Sequence, residues 1–220
     1  MNYKILFYIF FVILLFERST FSDEINFNSS NIKVLEKGNI VTALNVEAYI
    51  PNKKIIIEGD KSIYDKKNSK LTIINNVKFQ DNLENIYIEG QKIIYDKSKD
   101  IVQTFGKTFI RVEDKYYIYS EDLFYNRKLQ NISTNKETVI KDDKENIFNL
   151  EDNFEFDINN EIISSDKTNI IDNNNNEYNF EIAKIDLKNN QIAGKELKVN
   201  FEDSFFGNPN NDPILKGRGA

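Results

Sequence analysis

The chain has 220 residues, of which 40% are hydrophobic and 29% are charged, and its formal net charge is −6. This apolar content can furnish a packed core, which argues against wholesale disorder. Histidine and cysteine are absent, so the chain lacks the usual zinc ligands, a thiol nucleophile and the side chain best suited to proton transfer near neutral pH.

The first 22 residues have the pattern of a secretory signal peptide. Lys4 precedes the apolar run Ile5–Phe16, and a stretch of small residues offers a cleavage position after Ser22. The alternative is a retained membrane anchor, but the twelve residues of this run, at about 1.5 Å each, cover only roughly 18 Å of a hydrocarbon core about 30 Å thick. We therefore expect residues 1–22 to be a cleaved signal peptide.

The mature chain is more acidic than the precursor. Cleavage removes two of the 29 basic residues and one of the 35 acidic residues, which leaves a net charge of −7. A protein that binds nucleic acid needs a basic surface to displace counterions. The charge therefore argues against a nucleic-acid partner.

After this segment the sequence repeats a short phrase about every 30 residues. The segments IIIEGDKSIYD, from Ile55, and IYIEGQKIIYD, from Ile86, are nearly identical, and a weaker copy precedes them. An apolar residue followed by Asp or Asn closes each copy at spacings of 31, 30, 31 and 29 residues. These dipeptides are Tyr64-Asp65, Tyr95-Asp96, Tyr125-Asn126, Phe156-Asp157 and Ile185-Asp186. Near-constant spacing over five copies indicates a tandem repeat.

Each copy has the layout of two or three short strands. An alternating apolar and polar run leads to the dipeptide, a turn rich in Asn, Asp and Lys follows, and a second apolar run comes next. Period-two alternation of Ile, Val, Tyr and Phe is typical of strands, and Asn and Asp tolerate the left-handed backbone angles of tight turns. One unit cannot bury its own apolar face, so the units are expected to stack.

The sequence therefore predicts an all-β fold, an elongated antiparallel structure of about five to six tandem repeats over residues 23–205. Its two ends are expected to be sheet edges, whose unpaired backbone groups favour a partner strand.

Several polar segments resemble known sites but are interpreted as turns. Asp172–Glu177 begins like a calcium loop, but the sixth position lacks Gly and the twelfth lacks Glu. The pairs Asp142-Asp143 and Glu151-Asp152 share no repeated spacing, so we interpret them as solvated turns between strands and not as catalytic carboxylates. Two prolines fall within Asn208–Pro213, and residues 206–220 read as a linker. The sequence thus indicates a protein without enzymatic activity, metal or cofactor.

Two long segments carry a resemblance to a known family. They are NVEAYIPNKKIIIEGDKSIYDKKNSKLTIINNV, Asn45–Val77, and IYIEGQKIIYDKSKDIVQTFGK, Ile86–Lys107. They resemble the OstA-like units of bacterial lipopolysaccharide transport proteins, over roughly residues 30–200 of this chain. The tandem array carries the resemblance, since no single motif in it is specific.

The resemblance implies a β-taco or β-jellyroll sheet, open along one side, whose apolar trough guides lipopolysaccharide acyl chains. It implies a periplasmic location associated with the outer membrane and a periplasmic bridge protein bound by edge-strand pairing. The tail Phe206–Gly219 resembles the link after the repeats in the LptD branch, which leads to an outer-membrane barrel and its lipoprotein partner. The barrel and the cysteines of that branch are missing here, and the soluble bridge branch, LptA, is the alternative.

Apolar residues at matching positions in successive copies are the candidate lining of this trough. Moving lipid through water costs about 0.8 kcal/mol for each exposed CH₂, so shelter needs continuous apolar surface and no reaction. The candidates are Ile57, Ile88, Ile118, Leu150 and Phe180. The alternative is a closed core in a structural or adhesive β-repeat protein. A polysaccharide-degrading β-helix enzyme is disfavoured by the short chain and the lack of a convincing carboxylate cluster.

Overall fold

A computed structural model describes residues 24–202 and 214–219 and confirms the all-β prediction. Within these residues sixteen strands form one antiparallel sheet, and the helical elements are two 3-10 turns, Glu36–Gly38 and Pro51–Lys53. No helix in the described part of the chain has the length and apolar character needed to cross a membrane. The strands are β1 (Asn26–Leu35), β2 (Ile40–Ile50), β3 (Ile55–Asp65), β4 (Lys70–Asp81), β5 (Ile86–Asp96), β6 (Ile101–Val112), β7 (Tyr116–Glu121), β8 (Phe124–Asn126), β9 (Asn131–Thr134), β10 (Thr138–Asp142), β11 (Ile147–Asp157), β12 (Ile162–Ile171), β13 (Glu177–Asp186), β14 (Gln191–Lys195), β15 (Leu197–Asn200) and β16 (Ile214–Gly217).

Two predicted segments fall wholly or partly outside the described residues. The predicted signal peptide, residues 1–22, lies outside them, as do residues 206–213 of the predicted linker. Within the same predicted linker, Ile214–Gly217 forms β16 and pairs with β15.

The strands follow one another as a meander, so each strand pairs mainly with its neighbours in sequence. β7 and β8 together line one side of β6, whereas β9 and β10 together line one side of β11. These pairs of short strands therefore occupy the place of single long strands interrupted in the middle. Each repeat thus contributes two strand lengths to the sheet.

The long strands are irregular near their middle, and we call this line the crease. Left-handed residues lie there, including Asn75 and Asn76 in β4, Gly106 in β6 and Asn153 in β11. The pairing register also shifts at the crease, for example between Ile74 and Val77. Because bulges and left-handed residues bend a strand and increase its local twist, the whole sheet folds along the crease into two walls.

The two walls face each other across an apolar interior. Wall A holds the strand halves that end at the turns 66–69, 97–100, 127–130, 158–161 and 187–190, whereas wall B ends at the turns 51–54, 82–85, 113–115, 143–146 and 172–176. The rings of Phe79 on wall B and Tyr95 on wall A lie 6.5 Å apart, and Tyr116 meets Phe156 edge-on at 5.3 Å. In cross-section, perpendicular to the crease, the folded sheet is V-shaped, as expected for the taco or jellyroll class.

The repeated dipeptide has a clear structural role at the wall A turns. Its first residue points into the interior, where Tyr95 is fully buried. Its second residue caps the turn: the carboxylate of Asp157 accepts hydrogen bonds from the backbone N–H and the side-chain amide of Asn160, at 3.1 and 2.7 Å. Asp65 and Asp186 hold their turns in the same way.

Small residues line the interior next to the crease, where the V is narrowest. A Cβ added at Gly59 would stand 2.4 Å from Cγ2 of Ile73. Buried hydroxyls pair with one another: Thr108 donates to Thr104 and Thr138 donates to Ser120, each at 2.8 Å. Larger side chains are buried there as well, because Phe154 directly follows the crease residue Asn153 and Ile73 packs against Gly59.

Two interpretations of the acidic segments have different outcomes. Asp172 caps the turn at residues 172–176 through backbone N–H groups of Asn174 and Asn176, as expected for an Asn-rich turn. Glu151-Asp152 was expected between strands, but both residues lie inside β11 at the crease, where Lys167 approaches them to 3.5 and 3.6 Å. The turn prediction was wrong there because a mid-strand bulge and a turn share the same residue preferences.

Candidate functional site

The five candidate lining residues all point inward from wall B. Ile57, Ile88 and Ile118 are 0% exposed, and Leu150 and Phe180 are 2% and 6% exposed. The first three lie in one row across the strands, whereas Leu150 and Phe180 lie in the next row toward the crease. The structure thus places them on one surface, although in two neighbouring rows.

That row is completed by residues that sequence reasoning missed. Each candidate came from the first strand of a repeat, and the second strand supplies a paired apolar residue from the same alternating pattern. The paired residues across twelve strands are Phe27, Ala48, Ile57, Phe79, Ile88, Ile110, Ile118, Ile140, Phe148, Ile170, Tyr178 and Val199. At about 4.8 Å between strands, this apolar row runs for roughly 50 Å without a polar member.

Wall A carries a matching row opposite to it. Its paired residues are Val34, Val41, Tyr64, Leu71, Tyr95, Val102, Tyr125, Ile132, Phe156, Ile163, Ile185 and Ile192. The first residues of all five repeated dipeptides belong to this row. Sequence reasoning found them as markers of the repeat but did not assign them to the lining.

A buried ion-pair cluster spans the side of the V opposite the crease, which we call the mouth. Arg127, on a wall A turn, donates to Asp81 of wall B through Nε at 2.6 Å and to Asp100 through Nη1 at 3.0 Å. Lys53 donates to Asp100 at 3.0 Å, and the hydroxyl of Tyr125 donates to Asp81 at 3.1 Å. We call these five side chains the clasp.

Attraction between opposite charges in the clasp favours the charged forms of Asp100 and Arg127, although burial disfavours them. Burial alone would raise the pKa of Asp100, but hydrogen bonds from Tyr95 and Lys53 and the charge of Arg127 lower it below its ordinary value. Burial would lower the pKa of Arg127, yet its hydrogen bond to Asp81 and both carboxylate charges raise it. Burial and the charge of Asp81 also raise the pKa of the Tyr125 hydroxyl. Asp100 and Arg127 therefore remain charged at neutral pH, whereas Tyr125 remains neutral.

Other side-chain contacts continue along the mouth. Gln130 donates to Glu84, the hydroxyl of Tyr116 donates to Glu161 at 2.6 Å, and Lys144 Nζ donates to Asn190 Oδ1 at 3.2 Å. Sheet pairing between the walls is not found at the mouth in residues 24–202. The trough was expected to be open along one side. In the structure that side is bridged, but by side chains alone.

The interior between the walls consists mainly of apolar side chains. The ionisable groups of the interior are satisfied by one another in the clasp. In the part of the chain that the structure describes, no three acidic, histidine or cysteine side chains converge as metal ligands would. The fold and site define a two-walled, all-β repeat protein with a continuous, buried apolar interior.

Comparisons with known proteins give a weak structural likeness. The crystal structure of LptH, the LptA homologous periplasmic component of the lipopolysaccharide transport device from Pseudomonas aeruginosa, is 10% identical to this chain and matches it with a TM-score of 0.29. The match covers 76% of this chain and 95% of LptH. No protein-family profile and no curated protein matches the chain. A likeness of this size carries no functional assignment by itself.

Proposed function

We propose that this protein is a non-enzymatic carrier that shelters the acyl chains of a lipid between its two walls. The observation that carries the proposal is the pair of unbroken apolar rows facing each other across twelve strands. A chain of about a dozen carbons would face roughly 10 kcal/mol on exposure to water, at about 0.8 kcal/mol for each CH₂. Contact with these rows removes most of that cost.

The way in which the walls are joined supports reversible opening. Covalent chain and sheet hydrogen bonds join them at the crease, whereas side chains alone bridge them at the mouth. Separating the turns at the mouth therefore breaks no strand pairing. A lipid can enter sideways while both walls keep their sheet structure.

The cargo that we propose is lipopolysaccharide, and the setting is the periplasm next to the outer membrane. The array of OstA-like repeats and the signal-peptide pattern support this proposal. Of the two branches, we favour the N-terminal periplasmic domain of LptD, because the tail after the repeats resembles its link, with an LptA-like soluble bridge as the alternative. The reading frame downstream of codon 220 tests this choice, because a large barrel containing cysteines distinguishes LptD.

The proposed partners dock at the ends of the sheet. β1 pairs with β2 alone among the described strands, and it exposes Ile32, Val34 and Leu35. A periplasmic bridge protein could add a strand to such an edge through main-chain hydrogen bonds. In a full-length LptD, the barrel and its lipoprotein would be the partners beyond the other end.

Photocrosslinking tests the proposed cargo. Benzoylphenylalanine placed at the inward positions Ile88 and Ile118 is expected to crosslink lipopolysaccharide in a Gram-negative host. The outward neighbours Tyr87 and Tyr117, on the same two strands, are the matched controls and are expected to give none. Native mass spectrometry of the unmodified chain should also show bound lipid.

A second candidate function is a structural or adhesive repeat protein with a filled interior. The observation in its favour is the closed clasp, which seals the middle of the mouth around Asp81, whose side chain is fully buried. If folded chain carries no lipid in native mass spectrometry and the inward probes give no crosslink, this candidate replaces lipid transport.

A further inference from the structure

A cavity of about 330 Å³ opens between the walls at the C-terminal part of the mouth. Phe148, Ile170 and Tyr178, consecutive members of the wall B row, line one side of it. Ile185 and Ile192 of the wall A row line the other. The two rows touch in the middle of the molecule, as the ring contact between Phe79 and Tyr125 shows at 6.5 Å. Here they separate and leave space.

The closure of the mouth is also weaker at this place than at the clasp. The middle of the mouth is held by the clasp, whose Arg127 and Asp81 side chains are 6% and 0% exposed. The turns beside the cavity are bridged by Lys144 and Asn190, which are both exposed. Water and salt compete for an exposed contact far better than for a buried one, so this part of the mouth opens more readily than the part held by the clasp.

The rim of the cavity is acidic. Asp142, Asp143, Asp172 and Asp186 surround it, with Lys144 as the cation among its lining residues. The carboxylates of Asp142, Asp172 and Asp186 cap the adjoining turns. The hydrogen bonds from Asn189 lower the pKa of Asp186, and, although burial opposes this, those from Asn176 and Asn174 lower the pKa of Asp172, so both remain ionised at the rim. Such a rim repels small anions, whereas the apolar floor attracts a hydrocarbon chain. The volume is close to the lower limit of ordinary ligand pockets, about 300 Å³.

We infer that this cavity is the portal through which one acyl chain passes between the interior and the mouth, with the clasp keeping the middle of the mouth closed. The inference rests on the proposed lipid-carrier function and names the place of passage. The portal is defined by the turns at residues 143–146 and 187–190 and by the apolar residues beneath them. Its occupant is one hydrocarbon chain, and the part of the lipid that lies next to the acidic rim carries no anionic group.

Bridging the mouth at two places provides the test, because the native chain has no cysteine. Lys144→Cys with Asn190→Cys places two thiols across the portal, and Glu84→Cys with Gln130→Cys places them across the mouth beside the clasp. Dibromobimane joins each pair, since long side chains leave backbones too far apart for a direct disulfide. The probe is dodecyl maltoside below its critical micelle concentration, followed by isothermal titration before and after bridging.

Bridging the portal is expected to weaken dodecyl maltoside binding at least tenfold, whereas bridging beside the clasp should leave it within twofold. Equal affinity before and after bridging the portal would overturn the inference, as would a loss confined to the clasp pair. If the unmodified chain binds no dodecyl maltoside at all, the carrier function itself fails and the portal fails with it.

A second pair of variants tests the portal independently of the cysteine variants, which could fail to fold. Ile192→Glu puts a charge on the floor of the portal, and Ile182→Glu puts the same charge on the neighbouring strand, at an exposed residue that does not line the cavity. Only Ile192→Glu is expected to weaken binding, by tenfold or more, and dodecyl sulfate should bind the native chain more weakly than dodecyl maltoside. Equal binding by both variants would contradict the portal.

Discussion

Removing Arg127 should destabilise the protein more than removing any exposed arginine, because Arg127 neutralises a carboxylate that water cannot reach. The side chain of Asp81 is 0% exposed, and Arg127 Nε lies 2.6 Å from its Oδ2. Removing one partner of a buried ion pair lowers the free energy of unfolding by about 3–5 kcal/mol, because the remaining charge stays buried without a counter-charge. We therefore expect Arg127→Met to lower the free energy of unfolding by this amount.

Two further variants show whether the loss comes from the uncompensated charge. Asp81→Asn in the Arg127→Met background should recover about 2 kcal/mol or more, because an amide oxygen can still accept the backbone N–H groups of Leu83 and Glu84. Arg111→Met removes an exposed pair with Asp114, at 43% and 65% exposure, and should cost less than about 1 kcal/mol.

Urea unfolding followed by circular dichroism measures all these variants without adding salt that would screen charges. At this chain length the Arg127→Met loss corresponds to a melting temperature lower by roughly 6 to 20 °C. If Arg127→Met costs no more than Arg111→Met, the clasp is hydrated in solution, and its role in closing the mouth is refuted.

Two other predictions concern the crease and the alkaline limit of stability. Gly59→Ala should cost about 1–3 kcal/mol in urea unfolding through overpacking against Ile73, whereas Gly90→Ala, at the equivalent place in the next repeat, meets no atom closer than 3.7 Å and should cost less; equal losses would contradict the steric argument. Burial and the hydrogen bond to Glu161 raise the pKa of Tyr116 in the folded state. Its contribution to the free energy of unfolding is therefore fully present below the pKa of an unfolded tyrosine, about 10, and is lost as the pH rises above that value. Tyr116→Phe should accordingly flatten the loss of unfolding free energy between about pH 9 and pH 11, and an unchanged slope would count against it.

The sequence alone determined the class of fold and the repeat, because both depend on local alternation. Residues at every second position of a strand share a face whatever the strand pairs with. For this reason the alternating pattern suffices to place Ile57, Ile88 and Ile118 on one inner surface. Phe79 and Ile110 escaped prediction, since the pattern was followed along one strand in each repeat and the register of the second strand depends on tertiary pairing.

The closure of the mouth could be decided only by the tertiary structure. Lys53, Asp81, Asp100 and Arg127 lie up to 74 positions apart in sequence and belong to different copies, so no periodicity connects them. They meet because mid-strand bulges fold one sheet upon itself and bring turns from opposite walls together. The pattern of apolar residues was thus sufficient to predict a continuous apolar interior. Only the tertiary structure showed that the mouth is bridged by the buried clasp in its middle and by the exposed Lys144–Asn190 contact beside the C-terminal cavity, because these contacts depend on how the two walls fold together.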